Sequence, residues 1–233
     1  EGADVVIADV QPEKASVVAG MIREKGRNAT AIPCDVGDSA AVEAMVNSAV
    51  AALGGLDILV NNAGIIAPGA FWEVSDETWD KIIRTNLSSV FYGSRAAARR
   101  MIAQGRGGVI INLSSIHATL SEPNAGPYTA AKGGVEAFSR TMATELAPWR
   151  IRVNCLAPGA TYSELTTPMY TDAVKAALFQ RVPMKEIAQP EWIAAGAVFL
   201  AADDSRYMTG QVLTLDGGYT MDGSLPGAEY WTE

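Results

Sequence analysis

GGVIINLSSIHATLSEPNAGPYTAAKGG, residues 107–134, is the stretch that decides how this chain folds. Its first part, GGVIINLSS (107–115), is a short β-branched run and reads as a buried strand. Its last part begins a helix running to about Ala147. Tyr128 and Lys132 stand four residues apart, just over one helical turn, so phenol and ammonium share one helix face. Ser115 lies thirteen residues before Tyr128, at the strand end. A free phenol has a pKa of about 10 and is a poor base at neutral pH. An adjacent fixed cation favours the phenolate. A shift of about three units needs about 4 kcal/mol, much of which one close cation in a partly dry cleft can supply. Tyr128 is therefore expected to act as a general acid/base with a lowered pKa, with Ser115 bonding the oxygen that gains or loses the proton. The Tyr-x-x-x-Lys spacing alone is weak, because an exposed lysine beside a half-buried tyrosine gives it too. Context decides.

Outward from that stretch, strand-like runs alternate with helix-length segments. DVVIADV (4–10), ATAIPCDV (29–36), DILVNNAG (57–64), IRVNCLAP (151–158) and QVLTLDGG (211–218) read as strands. Helices are expected over 12–26, with Pro12 near the start and Gly26 past the end. Another runs from Asp38 or Ser39 to Leu53, closed by Gly54-Gly55. A third starts at Ser75 and reaches about Ala103 with a break, and a fourth covers 190–202. The stretch to Pro190 reads as irregular. Continuous apolar strands separated by helices predict one α/β domain over 1–233, a doubly wound parallel sheet of Rossmann type. Such sheets bind ligands at the carboxyl ends of their strands. Asp9, Asp35, Asn62, Ser115 and Pro158-Gly159 all fall there, so one edge of the sheet should carry a site.

Composition bounds the function. A net charge of −8 argues against nucleic acid or an anionic membrane as partner. No apolar stretch reaches the length of a membrane span, and no secretory pattern opens the chain, so a cytoplasmic protein is expected. Cys34 and Cys155 sit in apolar runs and read as buried free thiols in a reducing compartment rather than a disulfide or metal site. His117 is the only histidine, which excludes a histidine-based metal cluster.

These residues together resemble the short-chain dehydrogenase/reductase family over nearly the whole chain. Asn61-Asn62-Ala63-Gly64 is similar to its NNAG turn and Asn86 in RTNLSSVF to its helix asparagine. Ser115, Tyr128 and Lys132 have its catalytic spacing. Ala157-Pro158-Gly159 resembles its PG motif, and Leu215-Asp216-Gly217-Gly218 its terminal DGG. The resemblance implies that Tyr128 exchanges a proton with the substrate oxygen while hydride moves to or from nicotinamide. Lys132 would lower the Tyr128 pKa and bond the nicotinamide ribose, Ser115 would hold the substrate oxygen, and Asn86 would bind a water in a proton relay. Asn62, Ala63 and Gly64 would line the adenosine side, and Asp35 with the Val36 backbone would contact adenine. Asp9, ending VVIAD, would accept both ribose hydroxyls and repel a 2′-phosphate, favouring NAD over NADP. Asp9 could instead cap the turn before Pro12, and Asp35 the turn before Asp38.

The sequence departs from the family pattern in two places. The family opens with a strand and a Gly-rich turn of which this sequence shows nothing. About thirty residues ahead of Glu1 are expected in the natural protein, and without them a gap in the sheet and fewer pyrophosphate-binding amides. After Pro158-Gly159 the family carries Ile or Val and then Thr; here Thr161 and Ser163 stand there. Ser163 keeps a hydroxyl that can bind the carboxamide. Residues 160–190 are expected to form a substrate lid, with Tyr162, Met169, Tyr170, Leu178 and Phe179 covering a ligand or packing on their own domain. His117 either contacts substrate or holds its loop, and the 219–233 tail, with Tyr230 and Trp231, either docks on a neighbouring subunit or frays.

The resulting expectation is an oxidoreductase moving hydride between NAD(H) and a small secondary alcohol or ketone, with a sugar or polyol preferred on account of Thr161, His117 and Glu122. A 3-oxoacyl thioester reductase is the alternative within the enzyme class, and a cofactor-deficient scaffold the alternative outside it. A homodimer or homotetramer is expected, joined through the 75–103 and Tyr128 helices.

Overall fold

The computed structural model describes residues 1–221. In chain order its first half runs β1 (Val5–Asp9), α1 (Pro12–Glu24), β2 (Ala29–Pro33), α2 (Ser39–Leu53), β3 (Ile58–Asn61), α3 (Asp76–Ile83) and α4 (Ser89–Gln104). Then follow β4 (Gly108–Leu113), α5 (Gly126–Leu146), β5 (Ile151–Pro158), α6 (Asp172–Arg181), α7 (Pro190–Ala201) and β6 (Val212–Leu215). All strand pairs are parallel.

Side-chain alternation along the strands builds the two layers. Ile110, Ile151 and Val153 point to one face and pack with Val90, Met101, Val135 and Met142 of α4 and α5. Val109, Ile111 and Leu156 point to the other face and pack with Ile193 and Leu200 of α7. Strands apolar on both faces need helices on both sides, which is the doubly wound arrangement expected.

The sheet is in two parts. β3-β4-β5-β6 form one ladder, and β1-β2 a separate pair. Between β1 and β3 lies the expected gap in the sheet, a cleft of about 740 Å³ lined by Val5, Val6 and Ala8 on one side and Ile58, Leu59 and Val60 on the other.

Local signals set the helix ends. Asp38 is the cap of α2, its carboxylate accepting from the Ala40 and Ala41 amides, and Gly54 closes that helix at φ 79°. Ser75 caps α3 by accepting from the Thr78 amide. The expected break in the 75–103 helix is a π turn at Arg84–Ser88. The 160–190 stretch holds a 3₁₀ turn at Thr167–Met169 and the helix α6, where an irregular segment was expected. The expected docking tail, from residue 222 onward, lies outside the described residues.

Candidate active site

Ser115 follows the last residues of β4 in extended conformation and opens a 3₁₀ turn, its hydroxyl accepting from the His117 amide at 3.2 Å. Tyr128 and Lys132 come from the first turns of α5. Lys132 is 4% exposed and donates to the Leu113 carbonyl at 2.6 Å, tying α5 to the end of β4. Its ammonium stands 5.7 Å from the centre of the Tyr128 ring. One turn further on, buried Glu136 accepts from Ser114 Oγ at 2.7 Å.

Beneath these groups runs a buried polar ladder. Asn61 donates to Ser94 Oγ at 3.1 Å and to Asn112 Oδ1 at 2.8 Å. Asn112 donates to Ser139 Oγ at 2.8 Å, and the Cys155 thiol donates to the same oxygen at 3.2 Å. It joins β3, β4 and β5 to α4 and α5, and a satisfied buried network fixes one arrangement. Sequence reading missed it and missed the Leu113 carbonyl. Asn61, Asn112 and Cys155 fall in apolar strand runs and Ser94 and Ser139 on helices, and a main-chain oxygen leaves no trace in sequence.

The electrostatics differ from expectation. Burial pushes the Tyr128 phenol above its ordinary value, with the Ser115 hydroxyl pulling the other way. Burial also pushes Lys132 down to about 8, opposed by Cys155. The expected lowering of Tyr128 by Lys132 is thus corrected for the ligand-free protein. The ammonium is bonded to Leu113 and lies against the tyrosine ring, and the burial that dries the site disfavours its charge.

Asn86 lies in the π turn and is 1% exposed. Its carboxamide accepts from the Ile65 amide and donates to the Ile65 carbonyl, both at 2.8 Å. It therefore holds the turn after Asn61-Asn62-Ala63-Gly64. A side chain on Gly64 would stand 3.7 Å from Asn86 Oδ1 and 3.9 Å from Lys132 Nζ, so the three positions meet.

Asp9, Val36, Asn62 and Ala63 line the cleft between β1 and β3. One Asp9 oxygen accepts from the Gln11 amide at 2.9 Å, and one Asp35 oxygen from the Gly37 amide at 2.8 Å. Each acid thus caps its own turn while keeping a second oxygen. Gly159 packs so closely on Asp216 that a Cβ would come within 2.7 Å of the Asp216 Cα, so the turn after Pro158 needs glycine. Thr161 and Tyr162 are half-buried in the segment beyond it, and the Ser163 hydroxyl is engaged with Thr166 at 2.8 Å. Tyr162 packs edge-on against Tyr170 with ring centres 5.6 Å apart. His117 Nε2 faces Glu122 at 3.6 Å, while its buried Nδ1 has no partner. Burial lowers the His117 pKa and Glu122 opposes this.

The family model described as enoyl-(acyl carrier protein) reductase matches residues 1–220. The chain belongs to the short-chain dehydrogenase/reductase family. This short-chain dehydrogenase/reductase is 38% identical over 221 residues to the 2,5-dichloro-2,5-cyclohexadiene-1,4-diol dehydrogenase of Sphingobium indicum, covering 95% of this chain and 88% of that one. It superposes on a gluconate 5-dehydrogenase of Burkholderia cenocepacia, solved with NADP and tartrate, with a TM-score of 0.90 at 36% identity, covering 95% of this chain and 87% of the other. A 7α-hydroxysteroid dehydrogenase solved with NADH and 7-oxo glycochenodeoxycholic acid gives a TM-score of 0.90 at 33% identity, covering 93% and 84%. The protein is accordingly an NAD(P)-dependent oxidoreductase acting on CH–OH groups, which sets the scaffold alternative aside.

The residues of this short-chain dehydrogenase/reductase fit a dinucleotide. The cleft brings Asp9 and Val36 together with the open backbone of Asn62 and Ala63. Gly64 leaves a side-chain-free surface beside Lys132. No helix of the described residues is long and apolar enough to cross a membrane.

Proposed function

We propose that the protein oxidises a secondary alcohol, or reduces the matching ketone, with NAD(H) as its preferred dinucleotide and a polyhydroxylated compound such as a sugar or polyol as substrate. The observation that carries this reading is the convergence of Ser115, Tyr128 and Lys132 at the carboxyl end of β4. The dinucleotide, when bound, accepts or returns the hydride. Tyr128 Oη gives its proton to the ketone oxygen as hydride arrives, the direction its raised pKa favours, and as the phenolate takes the alcohol proton in the reverse direction. Ser115 Oγ holds the substrate oxygen next to that hydroxyl. Lys132 and the open face of Gly64 receive the ribose, and the Leu113 carbonyl fixes the ammonium from behind. Asn86 holds Ile65, and hence the turn bearing Asn62, Ala63 and Gly64.

Preference for NAD is supported by Asp9, which keeps one carboxylate oxygen for the ribose hydroxyls. Lys14, the cation nearest in sequence, is paired with Glu164 at 2.6 Å rather than left for a 2′-phosphate. A polar substrate is supported by His117, Glu122 and Thr161. The two buried free thiols fit a reducing compartment, which supports a cytoplasmic protein. We place a homodimer or homotetramer contact on α4 and α5, where Phe91 stays 41% exposed beside Phe138. The second reading, a 3-oxoacyl thioester reductase, is favoured by 38% identity to the 3-oxoacyl-[acyl-carrier-protein] reductases of Chlamydia trachomatis and Staphylococcus aureus.

A dehydrogenase screen over sugars, polyols, ketones and acetoacetyl thioesters with NAD(H) and NADP(H) tests the proposal. Turnover of a polyol or sugar with NAD is the expected result. Turnover confined to acyl thioesters with NADPH would replace it with the second reading.

A further inference from the structure

The two groups that must meet on the substrate oxygen come from different elements. Ser115 stands at the exit of β4 and Tyr128 in the first turn of α5, with the Ile116–Ala118 turn and a loop between them. Placing one against the other to within a fraction of an ångström therefore depends on what ties the helix to the strand end. Two side chains of α5 do so, at adjacent strand residues. Lys132 donates to the Leu113 carbonyl at 2.6 Å, and Glu136, one turn further along, accepts from Ser114 Oγ at 2.7 Å. The main chain of Ser114 is held from another side, its amide donating to the Leu156 carbonyl of β5 at 2.8 Å.

The two ties differ in what else they do. Lys132 lies against the Tyr128 ring and beside Gly64, where the mechanism already uses it. Glu136 has no second duty. It belongs to none of the ion pairs among the described residues, and the Ser114 hydroxyl is the one hydrogen-bond partner of its carboxylate there. Ser114 and Glu136 are 4% and 8% exposed. A carboxylate buried without a cation is costly. A buried serine does not require one: Ser89, Ser139 and Ser205 each donate to a main-chain carbonyl four or five residues back. What the acid adds is a charge-assisted bond, about twice as strong as a neutral one, on the residue directly before Ser115.

We propose that Glu136 is a positioning residue for the reaction: by holding Ser114 it sets where the Ser115 hydroxyl stands relative to Tyr128 Oη. Buried behind Ser114, it acts through that residue. The inference rests on the proton-transfer roles given above to Ser115 and Tyr128, and adds the part that keeps them in register. With the bond removed, the strand end keeps its main-chain tie to β5, while the Ser114–Ser115 segment gains freedom and its hydroxyl spends less time in line with the phenol.

The test uses the compound that the wild-type protein turns over fastest in the screen above, with its preferred dinucleotide. Glu136→Ala should lower kcat about tenfold to a hundredfold with KM within about threefold, the effect of a misplacement of about 1 Å. NADH affinity should stay within about twofold, which also reports an intact fold. Glu136→Gln keeps an oxygen that accepts from Ser114 and should recover kcat to within about threefold. The decisive comparison is made in a Ser115→Ala background, where no hydroxyl is left to place. There Glu136→Ala should lower kcat by less than about twofold. A merely structural role would lower kcat by the same factor in both backgrounds. That result, a wild-type kcat in Glu136→Ala, or no recovery in Glu136→Gln overturns the positioning role and leaves the proton-transfer reading standing. If Glu136→Ala does not fold, Ser114→Ala removes the same bond from its other end and carries the same expectations. Undiminished turnover by Ser115→Ala alone, or no turnover of any screened compound by the wild type, overturns the proton-transfer reading and this inference with it.

Discussion

The strands on the two sides of β3 are made of the same residue types and live in different surroundings. On the β4–β5 side, Ile110, Ile111 and Val153 are fully buried between α4, α5 and α7. On the β1 side, Ile58 and Val60 are 38% and 43% exposed and face the cleft. The proton-transfer groups stand on the first side, and the residues assigned to adenosine line the second. Chemistry that depends on sub-ångström placement is thus anchored in the packed half.

Four measurements would break or sharpen this contrast. The largest effect belongs to Tyr128→Phe, which should lower kcat by about a hundredfold to ten-thousandfold while NADH titration shows binding within a few-fold. Retained turnover would remove Tyr128 from the chemistry. Next, Ile111→Ala in the packed half should cost about 2–4 kcal/mol in urea unfolding.

A third measurement concerns pH. The folded protein holds Lys132 at about 8 against an ordinary 10.5. Between those values the unfolded chain binds more protons than the folded one, so stability rises with pH across that window. The full rise is about 3 kcal/mol, and the cost of the buried ammonium is felt in full below pH 8. Urea midpoints taken from pH 7.5 to 8.5, below the range in which the unfolded Cys34 and Cys155 thiols and the Tyr128 phenol ionise, should climb in the wild type and stay nearly flat in Lys132→Met. The smallest effect is on cofactor choice. Asp9→Asn should reduce the preference for NAD over NADP by about tenfold, the worth of one lost repulsion at a half-buried site. An unchanged ratio of kcat/KM values would mean that Asp9 only caps its turn.

Much of this was readable from residues alone, for identifiable reasons. β-Branched runs, the caps Asp38 and Ser75, and the terminal glycines act within a few positions of themselves, so strands and helix ends fall where expected. The cluster of Ser115, Tyr128 and Lys132 follows from one strand end and one helix face. What stayed hidden depends on contacts between distant parts. The raised Tyr128 pKa comes from burial by other segments, and the Leu113 carbonyl offers no side chain to notice. Helix α6 went unseen because Ala173, Val174, Ala176, Ala177, Leu178 and Phe179 form a nearly unbroken apolar run without helical rhythm. The two hydrogen bonds of Tyr170 to Thr161 have no local signature at all.

The π turn at Arg84–Ser88 has a consequence for anyone altering this protein. It accommodates one residue more than a regular turn would, so α3 and α4 are out of phase by about 100°. Deleting a single position there would let the two helices fuse into one straight rod. Either Asn86 would then swing away from Ile65, or Val90 and Met101 would rotate off the sheet. Chain length across these five residues is therefore as tightly constrained as any side chain in the site, and a grafted segment one residue shorter should fail even with every motif retained.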